Sequence, residues 1–166
     1  TGRVFVMISK NSQGEPRSQA GNYGQLIPFF GLDVDRLKPA QDAVIDASVL
    51  GYPLKSLHEL PAGDYYVQAL MNVYTQVHRE DGHTIWVHMD QWEGQKWNTS
   101  PGNLVSEVQK VHLDPAAGFR VKLSLSKKLP PRVVAADTPW VKRVKIQSKM
   151  LSEFWGHPIY IGDLLL

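Results

Sequence analysis

Three kinds of side chain in this sequence could do chemistry, and most of them fall between residues 78 and 107. His78, His83 and His88 recur every five residues, with Asp90 just beyond them and His112 further on. A zinc or copper site needs three or four convergent ligands, each held by further hydrogen bonds. On an extended strand an odd spacing sends successive side chains to opposite faces, although a turn between His78 and His83 can bring those two together. The plainer reading makes all three polar residues of a hairpin, and no cofactor is implied. Asp90, Glu93 and Glu107 are the carboxylates that could form an acid/base pair for glycoside hydrolysis, which requires two carboxyl groups about 5–10 Å apart. Spacing along the chain does not establish that separation.

The segment "WVHMDQWEGQKWN" contains Trp86, Trp92 and Trp97. Trp86 lies in a strand pattern and is expected in the core. Trp92 and Trp97 stand in a loop beside Asp90, Gln91, Glu93, Gln95 and Asn98. Aromatic faces flanked by amides and carboxylates suit sugar rings, whose C–H faces stack while their hydroxyls take hydrogen bonds. The competing reading is that these tryptophans seal one end of the fold or pack against another domain. Asn98-Thr99-Ser100 matches the glycosylation tripeptide, a pattern short enough to recur by chance.

The elements that must position these residues are mostly strands. "GRVFVMIS" is β-branched and aromatic and has the length of one strand. Residues 11–41 are dense in Gly, Pro, Asn, Ser and Gln and read as a long excursion over the core, with "LIPFFGLDV" as a short edge strand. "DAVIDASVL" reads as a strand and "YPLKSLHELPAG" as an irregular helical turn. In "GDYYVQALMNVYTQV", Tyr65, Val67, Ala69, Met71 and Val73 alternate with Tyr66, Gln68, Leu70 and Asn72. That period predicts one long antiparallel strand with the first set buried and Gln68 and Asn72 more exposed. Asp81-Gly82 then turns the chain into a return strand over 84–89. "LVSEVQKVHLD" and "GFRVKLSLS" read as a further pair, with a bulge near 106–109 and a half-buried second strand. A Pro-rich linker leads to "WVKRVKIQS" and "HPIYIGDLLL", two strands around "KMLSEFWG".

The expected fold is therefore all-β, an immunoglobulin-like antiparallel sandwich with a long N-terminal loop excursion. In "LPAGDYYVQA" the tyrosine entering the strand is placed as a corner residue whose hydroxyl bonds nearby backbone. The chain of 166 residues can bury about two-thirds of its unfolded surface without disulfides, and it has no cysteine. A net charge of +2 and scattered basic residues argue against nucleic acid, Lys142, Arg143, Lys145 and Lys149 reading as the solvated face of a strand. No apolar run approaches the roughly 20 residues of a membrane span. "TGRVFVMISK" reads as a strand rather than a signal peptide, and both ends read as cut from something longer.

From Gly63 onward, "PAGDYYVQALMNVYT", "DGHTIWVHMDQWEGQKWNTSPGNL" and "VKRVKIQSKMLSEFWGHPIYIGDLLL" resemble the N-terminal region of bacterial esterases of the esterase D and enterochelin-esterase type. A weaker likeness in "GRVFVMISK" and "PFFGLDVDRLKPAQDAVID" extends this over nearly the whole chain. In that family a β-rich domain precedes an α/β-hydrolase domain. The resemblance implies an accessory sandwich over 1–139, then over 140–166 a linker and the first strands of a hydrolase domain lying beyond Leu166. A serine esterase needs a G-x-S-x-G elbow, and neither Ser100, Ser148 nor any other serine sits in that frame. No catalytic residue is carried over.

The expected function is a non-catalytic accessory domain of a secreted or periplasmic esterase. Its partner would be its own hydrolase domain, and a second copy of the chain is a further candidate. Two alternatives stay open: a carbohydrate-binding module using Trp92 and Trp97 with Asp90, Gln91 and Glu93 on a polysaccharide or oligosaccharide, and a glycoside hydrolase built on Asp90, Glu93 and Glu107.

Overall fold

The longest alternation in the sequence becomes the spine of the molecule. A computed structural model describes residues 1–21, 26–88 and 96–165. In chain order these form β1 (Gly2–Ser9), a one-turn helix α1 (Pro16–Gln19), β2 (Phe29–Val34), β3 (Gly51–Tyr52), a 3-10 turn (Leu57–Glu59) and β4 (Gly63–His78). Next come β5 (Thr84–His88), β6 (Leu104–Val105), β7 (Gln109–Leu113), β8 (Lys127–Lys128), β9 (Lys142–Ser148), α2 (Lys149–Trp155) and β10 (Ile159–Leu165). The fold is all-β and antiparallel, as expected. β1 pairs with β4 from Gly2 opposite Val73 to Ser9 opposite Tyr66. β2 and then β3 extend the sheet beyond β1, while β5, β6 and β7 all pair with β4, and β8 pairs with β6.

β2 is thus an interior strand rather than the edge expected of "LIPFFGLDV", because Gly51–Tyr52 pairs beyond it. The bulge expected near residues 106–109 is present. Leu104 and Val105 face Met71 and Leu70, but Gln109 faces Val67, so the register shifts by one residue between β6 and β7. Ser106 sits in the gap: its N–H donates to the Ala69 carbonyl at 3.0 Å and its Oγ accepts from the Ala69 N–H at 2.9 Å.

One face of the sheet carries the main core: Ile8, Phe30, Leu57, Leu60, Tyr65, Val67 and Leu113. The Tyr65 hydroxyl donates to the Pro61 carbonyl at 2.6 Å, the corner bond expected of the tyrosine entering this strand. Ile45, Val49, Leu54, Phe119, Val121 and Leu123 cover this core. Against the expectation of two strands, the segments that carry most of them, 42–50 and 118–126, join no ladder. Phe119, Val121, Leu123 and Leu125 do alternate as half-buried residues with exposed Arg120, Lys122, Ser124 and Ser126. Burial is enough to impose that alternation; a ladder also needs a backbone partner, and the Lys122 carbonyl is instead taken by the Gln109 side chain at 3.0 Å. In 42–50 the Asp46 carboxylate accepts from the Ser48 N–H and hydroxyl, which bends the chain into a turn.

The expectation for β4 is overturned at its other face. Val67, Ala69 and Met71 are buried as predicted, but Gln68 and Asn72 are buried too, at 0% and 4% exposure, while Val73 is 37% exposed. The alternation is intact; a second layer covers its polar side. Met7, Leu70, Ala20, Ile27 and Val105 form a second cluster there, with Phe5, Phe29, Trp97 and Leu129 packed against it. Gln68 lies within this layer with both ends of its amide bonded. Its Oε1 accepts from the Arg17 N–H at 3.1 Å, and its Nε2 donates to the Ser106 carbonyl at 3.1 Å. Val73 loses cover because it faces Gly2, at the very start of β1.

The last three elements stand apart. Among the described residues β9 and β10 pair only with each other, from Ile159 opposite Ser148 onward, and α2 connects them. Ser148 caps α2 by accepting from the Leu151 N–H at 3.3 Å, and Gly156 closes it in the left-handed conformation at φ 66°.

Candidate functional site

The three spaced histidines part company. His78 Nδ1 lies 2.9 Å from Thr84 Oγ1 across the β4–β5 hairpin, and His83 Nδ1 lies 3.2 Å from Asp81 Oδ1 at its turn. His88, at the end of β5, sits between Asn72 Oδ1 at 2.7 Å from its Nδ1 and Ser100 Oγ at 2.6 Å from its Nε2. Among the described residues no group of three His, Asp or Glu side chains could hold a metal ion. His112 pairs with Asp64, the Nδ1 to Oδ1 distance being 2.8 Å, and that bond holds the Asp64 carboxyl below its ordinary range.

Asn72, His88 and Ser100 are brought together from positions that no spacing rule connects. The order of contacts is that of a hydrolytic relay, with an orienting side chain on Nδ1 and a hydroxyl on Nε2. Ser100 is fully buried, however, and its hydroxyl also reaches the Lys96 carbonyl at 2.9 Å. A nucleophile must meet its substrate, so this geometry works as a clamp that fastens residues 96–103 over β4. The surrounding bonds have the same effect. Asn103 donates to the Trp97 carbonyl at 2.7 Å and accepts from the Val73 N–H at 3.0 Å. Asn98 Nδ2 donates to the carbonyls of Arg17 at 2.7 Å and Ala20 at 3.1 Å, while Arg17 Nη1 donates back to the Asn98 carbonyl at 3.1 Å. Asn98 is buried, so the glycosylation tripeptide is closed to modification in the folded chain.

Trp97 packs on the covered face of the sheet, its ring centroid 4.4 Å from that of Phe5 and 5.8 Å from that of Phe29. It is half-buried, with much of its surface spent on these rings. Trp86, expected in the core, is 47% exposed. It lies on β5, which pairs with the far end of β4 beyond Val73, where β1 no longer reaches. Trp92, Asp90, Gln91 and Glu93 lie outside the described residues. Glu107, the remaining carboxylate of the proposed acid/base pair, is exposed and bonded to Lys127 Nζ at 2.6 Å, an arrangement that raises the lysine pKa.

The other distinctive surface is the β9–β10 hairpin. Its register puts Ile146 directly opposite Ile161, with Val144 and Ile159 on the same face. Ile146 is 62% exposed and Ile161 56%, and Met150 on α2 and Leu164 on β10 are exposed as well. Arg143, Lys145, Gln147 and Tyr160 occupy the opposite face, where the Lys145 ammonium lies 4.2 Å from the Tyr160 ring centroid.

Sequence reasoning missed Asn72, Ser100, Asn103, Gln68 and Arg17 as a network. Its one visible signal is two amides, Gln68 and Asn72, in a strand otherwise rich in apolar residues, facing an Asn/Ser-rich loop elsewhere in the chain. No protein-family model, curated protein or solved structure matches the chain.

Proposed function

We propose that this chain is a non-catalytic, immunoglobulin-like accessory domain of a bacterial esterase, whose residues 140–166 join it to a hydrolase domain. The observation that carries the reading is the amphipathic β9–β10 hairpin. A two-stranded sheet is marginal on its own in water, and one apolar face must be covered to stabilise it. Here that face, with Ile146 and Ile161 at its centre, stays open, while β1, β5, β6 and β7 all pair with β4. The resemblance of "VKRVKIQSKMLSEFWGHPIYIGDLLL" to the opening of an esterase hydrolase domain supplies the occupant. The corner bond of Tyr65 and the two-layer packing of the main core support the immunoglobulin-like part of the proposal.

The test compares this chain with one extended through the residues that follow Leu166 in its gene. The amides of Ile146 and Ile161 should exchange much more slowly in the extended protein, and the short chain should not hydrolyse p-nitrophenyl esters above buffer. Equal exchange in both proteins, or turnover by the short chain that is lost on mutating one of its own residues, would overturn the reading.

A further inference from the structure

The β9–α2–β10 unit shares no strand pairing with the large sheet, yet it is not free of it. It meets the β4–β5 hairpin at the turn, through a small set of unlike contacts. The Glu80 N–H donates to the Phe154 carbonyl at 2.8 Å, near the C-terminal end of α2 where the helix leaves carbonyls unbonded. The Arg79 guanidinium lies 4.9 Å from the centroid of the Phe154 ring and 5.7 Å from that of Trp155, and the two rings meet edge to face at 5.5 Å. Asp81 forms an ion pair with the same guanidinium, and Arg79 Nε is buried with no hydrogen-bond partner among the described residues. Gly156 lies so close to the His78 carbonyl oxygen that a Cβ there would overlap it, in a left-handed conformation that side chains rarely adopt.

The contacts across the joint are a backbone hydrogen bond and the Arg79 guanidinium against two aromatic rings. No residue of α2 is buried, so docking is not held by a shared apolar core. A cation over aromatic faces is held more firmly the more water is excluded from it. Regions with few buried contacts open below the free energy of global unfolding, often as cooperative units.

We propose that the β4–β5 turn is a docking joint for the β9–α2–β10 unit, that Arg79 is its pin, and that the unit undocks as a body while the sheet stays folded. The docking stands on these contacts alone; its importance for setting the approach of a hydrolase domain rests on the accessory-domain reading. Arg79 is a positioning residue: it fixes the angle at which the hairpin leaves the sheet.

Amide hydrogen exchange on the whole 166-residue chain tests this, because Glu80 carries an amide bonded across the joint. Arg79→Ala should speed exchange at Glu80 and across 142–165 by about tenfold or more, since an undocked two-stranded hairpin holds its own ladder poorly. Exchange at Val67–Met71 should not change. Arg79→Lys keeps the charge but loses the planar fork, and should fall between wild type and Arg79→Ala. Gly156→Ala, which disturbs the joint from the other side, should reproduce the Arg79→Ala pattern. A Glu80 amide exchanging at the unprotected rate in the wild type would sink the proposal. So would an Arg79→Ala chain in which Glu80 and 142–165 are unaffected, or one in which Val67–Met71 accelerate in step with them. Each of these is read on this chain alone, whereas the accessory-domain reading is tested by protection of Ile146 and Ile161 in the extended protein, so the two can fail separately.

Discussion

β4 and the β9–β10 hairpin are both built from alternating strands, but they meet opposite fates. β4 is covered on both faces: Leu57 and Leu60 pack on one with Ile45, Phe119 and Val121, and Ala20 and Ile27 on the other. On the hairpin, by contrast, Ile146 and Ile161 remain largely exposed. What separates them is how much chain returns to each. Residues 11–21, 26–28 and 96–106 fold back over β4, where the Arg17 N–H and the Ser106 carbonyl meet the Gln68 amide and His88 on β5 meets Asn72 Oδ1. Nothing described returns over Ile146. A strand's pattern thus states which residues share a face, and the remainder of the chain decides whether that face is wet or dry.

The sharpest way to break this comparison is to remove apolar mass from each region. Phe30→Ala, at a site with no exposure, should cost about 3–5 kcal/mol. Its melting temperature should fall on the order of 10 °C. Ile161→Ala should change stability by less than about 0.5 kcal/mol, as exposed positions do. Calorimetry on both variants checks the pair; a large loss from Ile161→Ala would mean that its face is buried in solution, for instance by a second copy of the chain.

Trp97 lies between these extremes. Trp97→Ala should destabilise by about 2–3 kcal/mol through lost burial and stacking on Phe5 and Phe29. Titration with soluble oligosaccharides at millimolar concentration should leave tryptophan fluorescence unchanged. A saturable change that disappears in the Ala variant would instead support the carbohydrate-binding alternative.

Gln68→Ala should cost about 1–3 kcal/mol, because it strands the Arg17 N–H and the Ser106 carbonyl inside the second layer. Denaturant unfolding measures this directly. A neutral result would show that the layer over Gln68 is open to water.

The smallest effect is electrostatic and lies at the surface. Asp64 is held below its ordinary pKa, first by the hydrogen bond from His112 and then by nearby Lys110 and His112 charge. A carboxylate with a lowered folded pKa contributes stability that is present above its unfolded pKa and is lost as pH falls through the folded one. The contribution should therefore fade only in acid, below the usual carboxylate range. His112→Ala should move the Asp64 titration, followed by NMR, upward; an unmoved midpoint would show that the pair does not form in solution.

The alternation from Tyr65 to Val77, the turn at Asp81-Gly82, the bulge beside Ser106 and the corner role of Tyr65 are all legible in the sequence, because each follows from local backbone geometry and side-chain period. Whether Phe119, Val121 and Leu123 sit in a ladder is not, since a strand needs a neighbour and the neighbour is set by the whole fold. The same limit hides the Asn72, His88 and Ser100 clamp: three residues far apart in sequence meet only because β5 and residues 96–103 both return to β4. By itself the sequence determined which side chains share a face and where the chain must turn. Only the tertiary structure decided which faces are dry, which amides find partners, and that α2 meets the β4–β5 turn at Arg79 and Glu80. Burial and hydrogen bonding at distant positions depend on what packs against them rather than on what lies beside them in the chain.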